Sequence, residues 1–197
     1  AKEPWVTNGY KLHLLYHYLQ TLDDNEIILV LDAFDVVICS DQTQLLEVFY
    51  NLNCDLVFSA EANLYLGERN LYRTYLSNYP TSPTPIRFLN SGSYMGSVAS
   101  MSRYIKEATA FAGLNLELES DFRSLKSDQS VLSRYYVELT KKANGRTRVL
   151  LDQQQELFGC SGGRVSAFRY RYFSYQHRYQ FFREERITND PSRQTKA

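Results

Sequence analysis

The most constraining feature of this chain is a run of five branched apolar residues, Ile27–Leu31, followed directly by Asp32 and, three residues later, by Asp35. A continuous apolar run of this kind predicts a strand covered on both faces of an α/β sheet. Ligands of open α/β sheets bind outside the carboxyl ends of the strands. The run therefore predicts a central, buried strand that delivers two carboxylates to a binding edge.

Asp32 and Asp35 indicate a metal site at that edge. Two carboxylates held within about 4–6 Å raise one another's pKa unless a cation lies between them. Ligand sets made only of oxygen favour Mg²⁺, Mn²⁺ or Ca²⁺. The residues alone also allow Asp32 to cap the following turn while Asp35 pairs with a basic side chain. Phosphatases of the haloacid dehalogenase type also carry an Asp pair after a buried strand, but two residues apart instead of three.

Composition predicts a globular domain with no general attraction for polyanions. Hydrophobic residues make up 44% of the 197 residues and aromatic residues 14%, which is enough for a substantial core. The 22 basic residues balance the 22 acidic ones, so no net field draws the chain to nucleic acid or an anionic membrane. No apolar stretch has the length of a membrane span, and the first residues lack a signal-peptide pattern. We expect a soluble chain, with its compartment left open.

Apolar periodicity and turn residues divide the chain into alternating helices and strands. Two strands joined by a helix predict a right-handed βαβ unit. The segment 164–186 interleaves arginine with aromatic residues, which suits either core packing or a stacking surface for sugars or single-stranded nucleic acid. The predicted helices are 9–22, 42–52, 68–79, 100–111 and 128–140, the predicted strands are 27–31, 55–60 and 149–152, and a polar turn is expected at 90–92.

Six short motifs lie at the ends of these predicted elements. They are Gly9-Tyr10-Lys11, Asp32 to Asp35, Ser59-Ala60-Glu61, Leu89 to Gly92 with Gly96, Asp128-Gln129, and Leu151-Asp152 with Phe158. In this order they resemble the glycosyltransferase domain of the procollagen lysyl hydroxylases and related collagen-modifying or viral glycosyltransferases. The resemblance implies a GT-A fold, that is, an α/β domain with a Rossmann-like, mixed and mostly parallel sheet flanked by helices.

The resemblance also implies an activity and a cofactor. A domain of this type transfers a hexose, glucose or galactose, from a UDP-sugar to a hydroxyl of a glycan or protein, with Mn²⁺ or Mg²⁺ as cofactor. Asp32 and Asp35 would hold the metal, and Lys11 would contact the diphosphate. Phe34 takes the place of the tyrosine that stacks on uracil in that family, so stacking is kept and the hydroxyl is not.

Further site residues follow from the same resemblance. Tyr65 would cover the donor, and residues 90–92 (Asn90, Ser91 and Gly92) would offer amide, hydroxyl and backbone contacts to it, together with Gln129. Asp128 is the remaining carboxylate of a longer acidic run in the family, and it would contact the donor sugar or act as the catalytic base. Plainer interpretations remain: an exposed helix lysine for Lys11, a structural turn for residues 90–92, and a helix N-cap for Asp128.

The sequence departs from the family pattern at two places. The family begins with a strand and ends with a His-Gly pair, and this sequence carries neither, so we expect a single glycosyltransferase-like domain, 1–197, without those segments. His177 lies in a different context and is not assigned that role. The alternative functions are a catalytically silent GT-A-like domain that binds nucleotide sugars or a partner and, more distantly, a magnesium-dependent phosphatase.

Overall fold

The computed structural model describes residues 7–33, 36–66, 69–143 and 148–159. Every helix and strand predicted from periodicity in these ranges is present, with ends shifted by a few residues. A short helix, α5, and a long strand, β3, are additional. The elements are α1 (Tyr10–Leu19), β1 (Ile27–Leu31), α2 (Gln42–Asn51), β2 (Leu56–Glu61), a 3₁₀ turn (Arg69–Leu71), α3 (Tyr72–Asn78), β3 (Phe88–Ser97), α4 (Val98–Phe111), α5 (Glu119–Ser124), α6 (Asp128–Lys142) and β4 (Val149–Asp152).

The four described strands form one mixed sheet in the order β1-β3-β2-β4. Strand β3 runs antiparallel to both β1 and β2, and β2 runs parallel to β4. Three strands therefore share one direction and β3 opposes them. The α/β class with a mixed sheet is confirmed, and β3 lies between the two strands that the βαβ pattern joins.

The prediction of a central, fully buried strand at Ile27–Leu31 is wrong for the described sheet. All five residues of β1 are only partly buried, and β1 pairs with β3 alone. Five of the six residues of β2 are buried, because β2 lies between β3 and β4. The apolar run predicts the strand correctly, but it does not distinguish an edge position from a central one.

The polar turn expected at 90–92 is instead part of β3. The pairing of β2 with β3 changes from Phe58 opposite Tyr94 to Ser59 opposite Asn90, so residues 91–93 have no partner on β2. Such a bulge bends the strand and redirects its side chains. On the other side of β3, Ser93 still pairs with Leu31 at the end of β1. The bulge thus lies beside the strand end that carries Asp32.

Helices cover both faces of the sheet, as an α/β architecture requires. Alternate residues of β2 point to opposite faces: Phe58 packs in a core cluster with residues of α1, α4 and α6, and Val57 packs in another with Phe49 of α2. None of the helices within the described ranges combines the length and apolarity needed to cross a bilayer. A polar cluster lies on the face of the sheet that is covered by α1, α4 and α6.

Candidate functional site

Lys11 lies at the centre of a polar cluster built from four elements of the fold. Its Nζ atom lies 2.7 Å from Oδ1 of Asp32 and 2.9 Å from Oδ2 of Asp128, and it donates a hydrogen bond to the Ser91 carbonyl at 3.2 Å. Asp32 follows β1, Asp128 begins α6, and Ser91 lies in the β3 bulge. The interpretation of Lys11 as an exposed helix lysine is therefore wrong.

Close packing at Gly9 brings Lys11 into this position. A β-carbon at Gly9 would lie 2.3 Å from the carbonyl oxygen of Leu125, in the short connection between α5 and α6. Only glycine allows so close an approach, since such a contact is far below van der Waals distance. Gly9 thus allows the start of α1, which carries Lys11, to pack against the segment that leads into Asp128.

Asp128 is the first residue of α6, and Ser127 is the residue that caps that helix. The Ser127 hydroxyl accepts the N–H of Ser130 at 3.3 Å. The interpretation of Asp128 as the N-cap is therefore wrong. Its side chain, only 5% exposed, turns to Lys11 instead. The first turn of a helix favours negative charge, so a carboxylate suits this position.

The charges of the cluster hold Lys11 protonated. Burial alone would lower the pKa of Lys11, but the negative charges of Asp128 and Asp32 and their hydrogen bonds outweigh it, so the pKa is raised. One ammonium faces two carboxylates. The cluster therefore carries net negative charge.

Gly92 fixes the end of β1 against the bulge of β3. The N–H of Asp32 donates to the Gly92 carbonyl at 2.8 Å, and the N–H of Gly92 donates to Oδ1 of Asn90 at 2.8 Å. A β-carbon at Gly92 would lie 2.9 Å from Asn90 Oδ1 and 3.1 Å from Asp32 Oδ2. The absence of a side chain here leaves the Asp32 carboxylate accessible on that side.

Glu61, at the end of β2, completes the cluster. Its Oε1 atom accepts hydrogen bonds from Nε2 of Gln129 at 2.6 Å and from Nδ2 of Asn90 at 3.3 Å. The Oε1 atom of Gln129 in turn accepts the N–H of Ser91 at 3.4 Å. Burial raises the pKa of Glu61, and the hydrogen bonds from Gln129 and Asn90 oppose that rise.

Glu61 was part of a sequence motif but was not assigned to the site. The signal that pointed to Asp32 was a carboxylate placed directly after an apolar strand, and Glu61 has the same placement on β2. The same pattern, a carboxylate directly after an apolar strand, identifies Glu61 when it is applied to β2 as well as to β1.

The cluster brings together seven of the predicted site residues. Tyr65 lies outside it: its side chain, 53% exposed, is in the loop after β2, and no described hydrogen bond joins it to the cluster. Phe34, Asp35 and the segment 164–186 lie outside the described residues, so their roles stay predictions. The residues brought together are Lys11, Asp32, Asn90, Ser91, Gly92, Asp128 and Gln129.

The chemistry of the Asp32 carboxylate fits a divalent cation. Carboxylate oxygen is the ligand type that Mn²⁺ and Mg²⁺ prefer, and the Asp32 side chain is 41% exposed beside Gly92. In the described part of the chain, no group of three or more His, Cys, Asp and Glu side chains is arranged to hold a metal.

Asp152, at the end of β4, has a structural role. Its carboxylate accepts the backbone N–H groups of Glu156, Leu157 and Phe158 at 2.8, 2.7 and 2.6 Å. The side chain is buried, so these bonds fix the turn that carries Leu157 and Phe158 into the core. The Leu-Asp motif with its nearby phenylalanine is explained by this turn.

An α/β fold with polar side chains gathered at the ends of β1 and β2 is compatible with a glycosyltransferase domain. Residues 4–180 match the family described as PLOD GT domain, and the chain belongs to that family. The resemblance identified from the six motifs is thereby confirmed.

Curated relatives place the match in larger proteins. Procollagen-lysine,2-oxoglutarate 5-dioxygenase 1 of Mus musculus is 37% identical over 101 residues, which are 50% of this chain and 13% of the relative. Its counterpart in Gallus gallus is 28% identical over 152 residues, 76% of this chain and 18% of the relative. The multifunctional procollagen lysine hydroxylase and glycosyltransferase LH3 of Homo sapiens is 31% identical over 104 residues, 52% of this chain and 13% of the relative. The matched segments thus cover less than a fifth of each relative.

Proposed function

We propose that this domain transfers a hexose, glucose or galactose, from a UDP-sugar to a hydroxyl of a glycan or protein, with Mn²⁺ or Mg²⁺ as cofactor. The observation that carries the proposal is the Lys11 ammonium, held between Asp32 after β1 and Asp128 at the start of α6. One cation and two carboxylates from separate elements meet where a donor site is expected in an open α/β sheet. Membership of the glycosyltransferase family supports the same assignment.

The charge of the cluster supports the metal requirement. Lys11 contributes one positive charge, whereas Asp32 and Asp128 contribute two negative ones. A nucleotide diphosphate brings further negative charge, so it would be repelled unless a cation accompanied it. We assign Asp32 and Asp35 as the protein ligands of that cation. When bound, the ion would act as a Lewis acid on the departing diphosphate.

The remaining residues of the site would bind and orient the donor. Lys11 is assigned to the diphosphate, Phe34 to stacking on uracil and Tyr65 to covering the donor. Residues 90–92 and Gln129 are assigned to the sugar, for which their amide, hydroxyl and backbone groups are suitable partners. Because Glu61 already orients the Asn90 and Gln129 amides, these groups are held in place before a donor arrives.

Asp128 is the proposed catalytic residue. Depending on the stereochemistry, its carboxylate would accept the proton of the acceptor hydroxyl or stabilise the developing positive charge of the sugar. Both tasks require the ionised form. The Asp128 carboxylate is held 2.9 Å from the Lys11 ammonium at the start of α6.

A transfer assay tests the proposal. The full chain is incubated with Mn²⁺ and either UDP-glucose or UDP-galactose, with and without a hydroxyl-bearing glycan or peptide, and free UDP is measured. We expect acceptor-dependent UDP release in the parent and a loss of about 100-fold in Asp128→Asn. Asp55→Asn is a suitable control. Asp55 forms an ion pair with Arg148, with 2.9 Å between Oδ1 and Nε, and it is not part of the cluster. Its rate should match the parent.

The same assay distinguishes a catalytic domain from a catalytically silent one. UDP binding by the parent, measured by calorimetry, without UDP release from either sugar would contradict catalysis and favour a nucleotide-sugar binding domain. Phosphate release from a generic ester, unaffected by UDP, would instead indicate the phosphatase.

A further inference from the structure

Two buried polar atoms near the cluster have complementary hydrogen-bonding capacity that the described residues leave at least partly unused. The first is the Tyr94 hydroxyl, and the second is Oδ2 of Asp128. The Asp128 oxygen pairs with the Lys11 ammonium 2.9 Å away, and a carboxylate oxygen can accept a second hydrogen bond. The hydroxyl can donate and the carboxylate oxygen can only accept.

Tyr94 packs on the face of the sheet that is covered by the helices of Lys11 and Asp128. On β3, Tyr94 lies opposite Val30 of β1 and Phe58 of β2, and its ring packs 5.0 Å from that of Phe58. The side chain is 1% exposed and belongs to the core cluster formed with residues of α1 and α6, the helices that carry Lys11 and Asp128.

Electrostatics agrees with this geometry. Burial raises the pKa of Tyr94, and the charges of Asp128 and then of Asp32 raise it further. The hydroxyl therefore stays protonated and lies within the field of both carboxylates, with Asp128 the stronger influence. A neutral O–H in that field is favoured as a donor to the carboxylate.

Buried polar groups are almost always paired: roughly 90% or more have a hydrogen-bond partner in the protein or in bound water. The Tyr94 hydroxyl has no partner among the described residues, and the Asp128 carboxylate is a buried acceptor on the same face of the sheet. We propose that Tyr94 is a positioning residue whose hydroxyl donates to Oδ2 of Asp128, directly or through one bound water, and orients that carboxylate. The kinetic consequence rests on the proposed function of Asp128; the contact itself does not.

The first test is kinetic and uses two tyrosine-to-phenylalanine variants. Tyr94→Phe removes only the hydroxyl, and we expect it to lower kcat about tenfold while KM for the UDP-sugar stays within about twofold of the parent. Tyr104→Phe is the matched control, because Tyr104 is equally buried but donates to the Leu132 carbonyl at 2.9 Å. It should lower the urea midpoint of unfolding and leave kcat unchanged. An unchanged kcat in Tyr94→Phe would overturn the positioning role.

The second test needs no activity. Urea midpoints are compared for the parent, Tyr94→Phe, Asp128→Asn and the double variant. If the hydroxyl contacts the carboxylate, the effect of Tyr94→Phe on the midpoint differs between the parent and the Asp128→Asn background. Equal shifts in both backgrounds would overturn the contact, whether or not the parent transfers sugar. An inactive parent with unequal shifts would contradict the proposed function and leave the contact supported.

Discussion

The N–H of Asp32 donates to the carbonyl of Gly92 at 2.8 Å, and this bond joins the end of β1 to the bulge of β3. The bulge exists because β3 pairs with β2 in two registers, separated by residues 91–93, which have no partner on β2. It therefore places the Ser91 carbonyl against Lys11 and the Asn90 side chain against Glu61. One irregularity in the sheet organises contacts among residues from α1, β1 and β2.

Gly92→Ala should disturb this arrangement directly. The added methyl group would lie 2.9 Å from Asn90 Oδ1 and 3.1 Å from Asp32 Oδ2, so one of the two side chains must move. We expect a loss of about 1–3 kcal/mol in unfolding free energy by urea denaturation, together with weaker binding of UDP and Mn²⁺ by calorimetry. Parent-like affinity in this variant would mean that the close contact is not needed for the donor site.

Lys11→Met should destabilise the protein, because it leaves two carboxylates without their cation. We expect a loss of about 2 kcal/mol, less than for a fully buried pair because the Asp32 side chain is 41% exposed. Lys141→Met is the control: Lys141 pairs with Glu138 at 2.9 Å on the surface, and its loss should cost about 0.5 kcal/mol or less.

The double variant Lys11→Met with Asp128→Asn extends the Lys11 measurement. Removing the buried carboxylate should recover part of the stability lost with Lys11, as measured by the same urea denaturation. Strictly additive losses would contradict the ion pair between these two residues.

Glu61→Gln should be at least as stable as the parent at about pH 7. Burial raises the pKa of Glu61 above its ordinary value, so the folded protein binds a proton more readily than the unfolded chain does. The stability of the parent relative to the variant therefore falls as the pH rises through the raised pKa. Urea denaturation from about pH 4.5 to about pH 7 should show this growing difference. A constant difference across that range would contradict the raised pKa.

Asp152→Ala should be severely destabilising, by about 3 kcal/mol, because three backbone N–H groups, two of them buried, lose their acceptor. Asp152→Asn keeps one acceptor oxygen and should lose less. Asp41→Ala serves as the control, since Asp41 caps α2 through a single exposed bond to the Gln44 N–H and should cost about 1 kcal/mol. Equal losses at Asp152 and Asp41, measured by urea denaturation, would show that the turn after β4 does not depend on the carboxylate.

Periodicity predicted the elements well because local patterns carry the information that forms them. Leu12 and Leu19 of α1 are buried as their helical spacing indicates, and α6 buries Val131 and Leu132 in the same way. The short helix α5 was missed because six residues with one buried side chain, Phe122, give almost no period.

The strand pairing and the partners of polar residues could not be predicted from local pattern. Whether Asn90 lies in a turn or a bulged strand depends on two neighbouring strands, and whether Lys11 is exposed depends on Asp32 and Asp128, which are distant in sequence. The motif resemblance, and not periodicity, identified Lys11 and Asp128 as site residues. The rule of a carboxylate after an apolar strand identified Asp32, and it applies equally to Glu61.

Calorimetric titration of UDP with and without Mn²⁺, in Asp32→Asn and in Asp55→Asn, tests the donor site most directly. Both aspartates form ion pairs at 2.7–2.9 Å and are similarly exposed, at 41% and 34%, but only Asp32 belongs to the cluster. We predict that Mn²⁺ tightens UDP binding in the parent and in Asp55→Asn, and that Asp32→Asn loses this metal-dependent gain. If Asp32→Asn binds UDP with Mn²⁺ as tightly as the parent does, Asp32 is not a metal ligand and the proposed donor site is wrong.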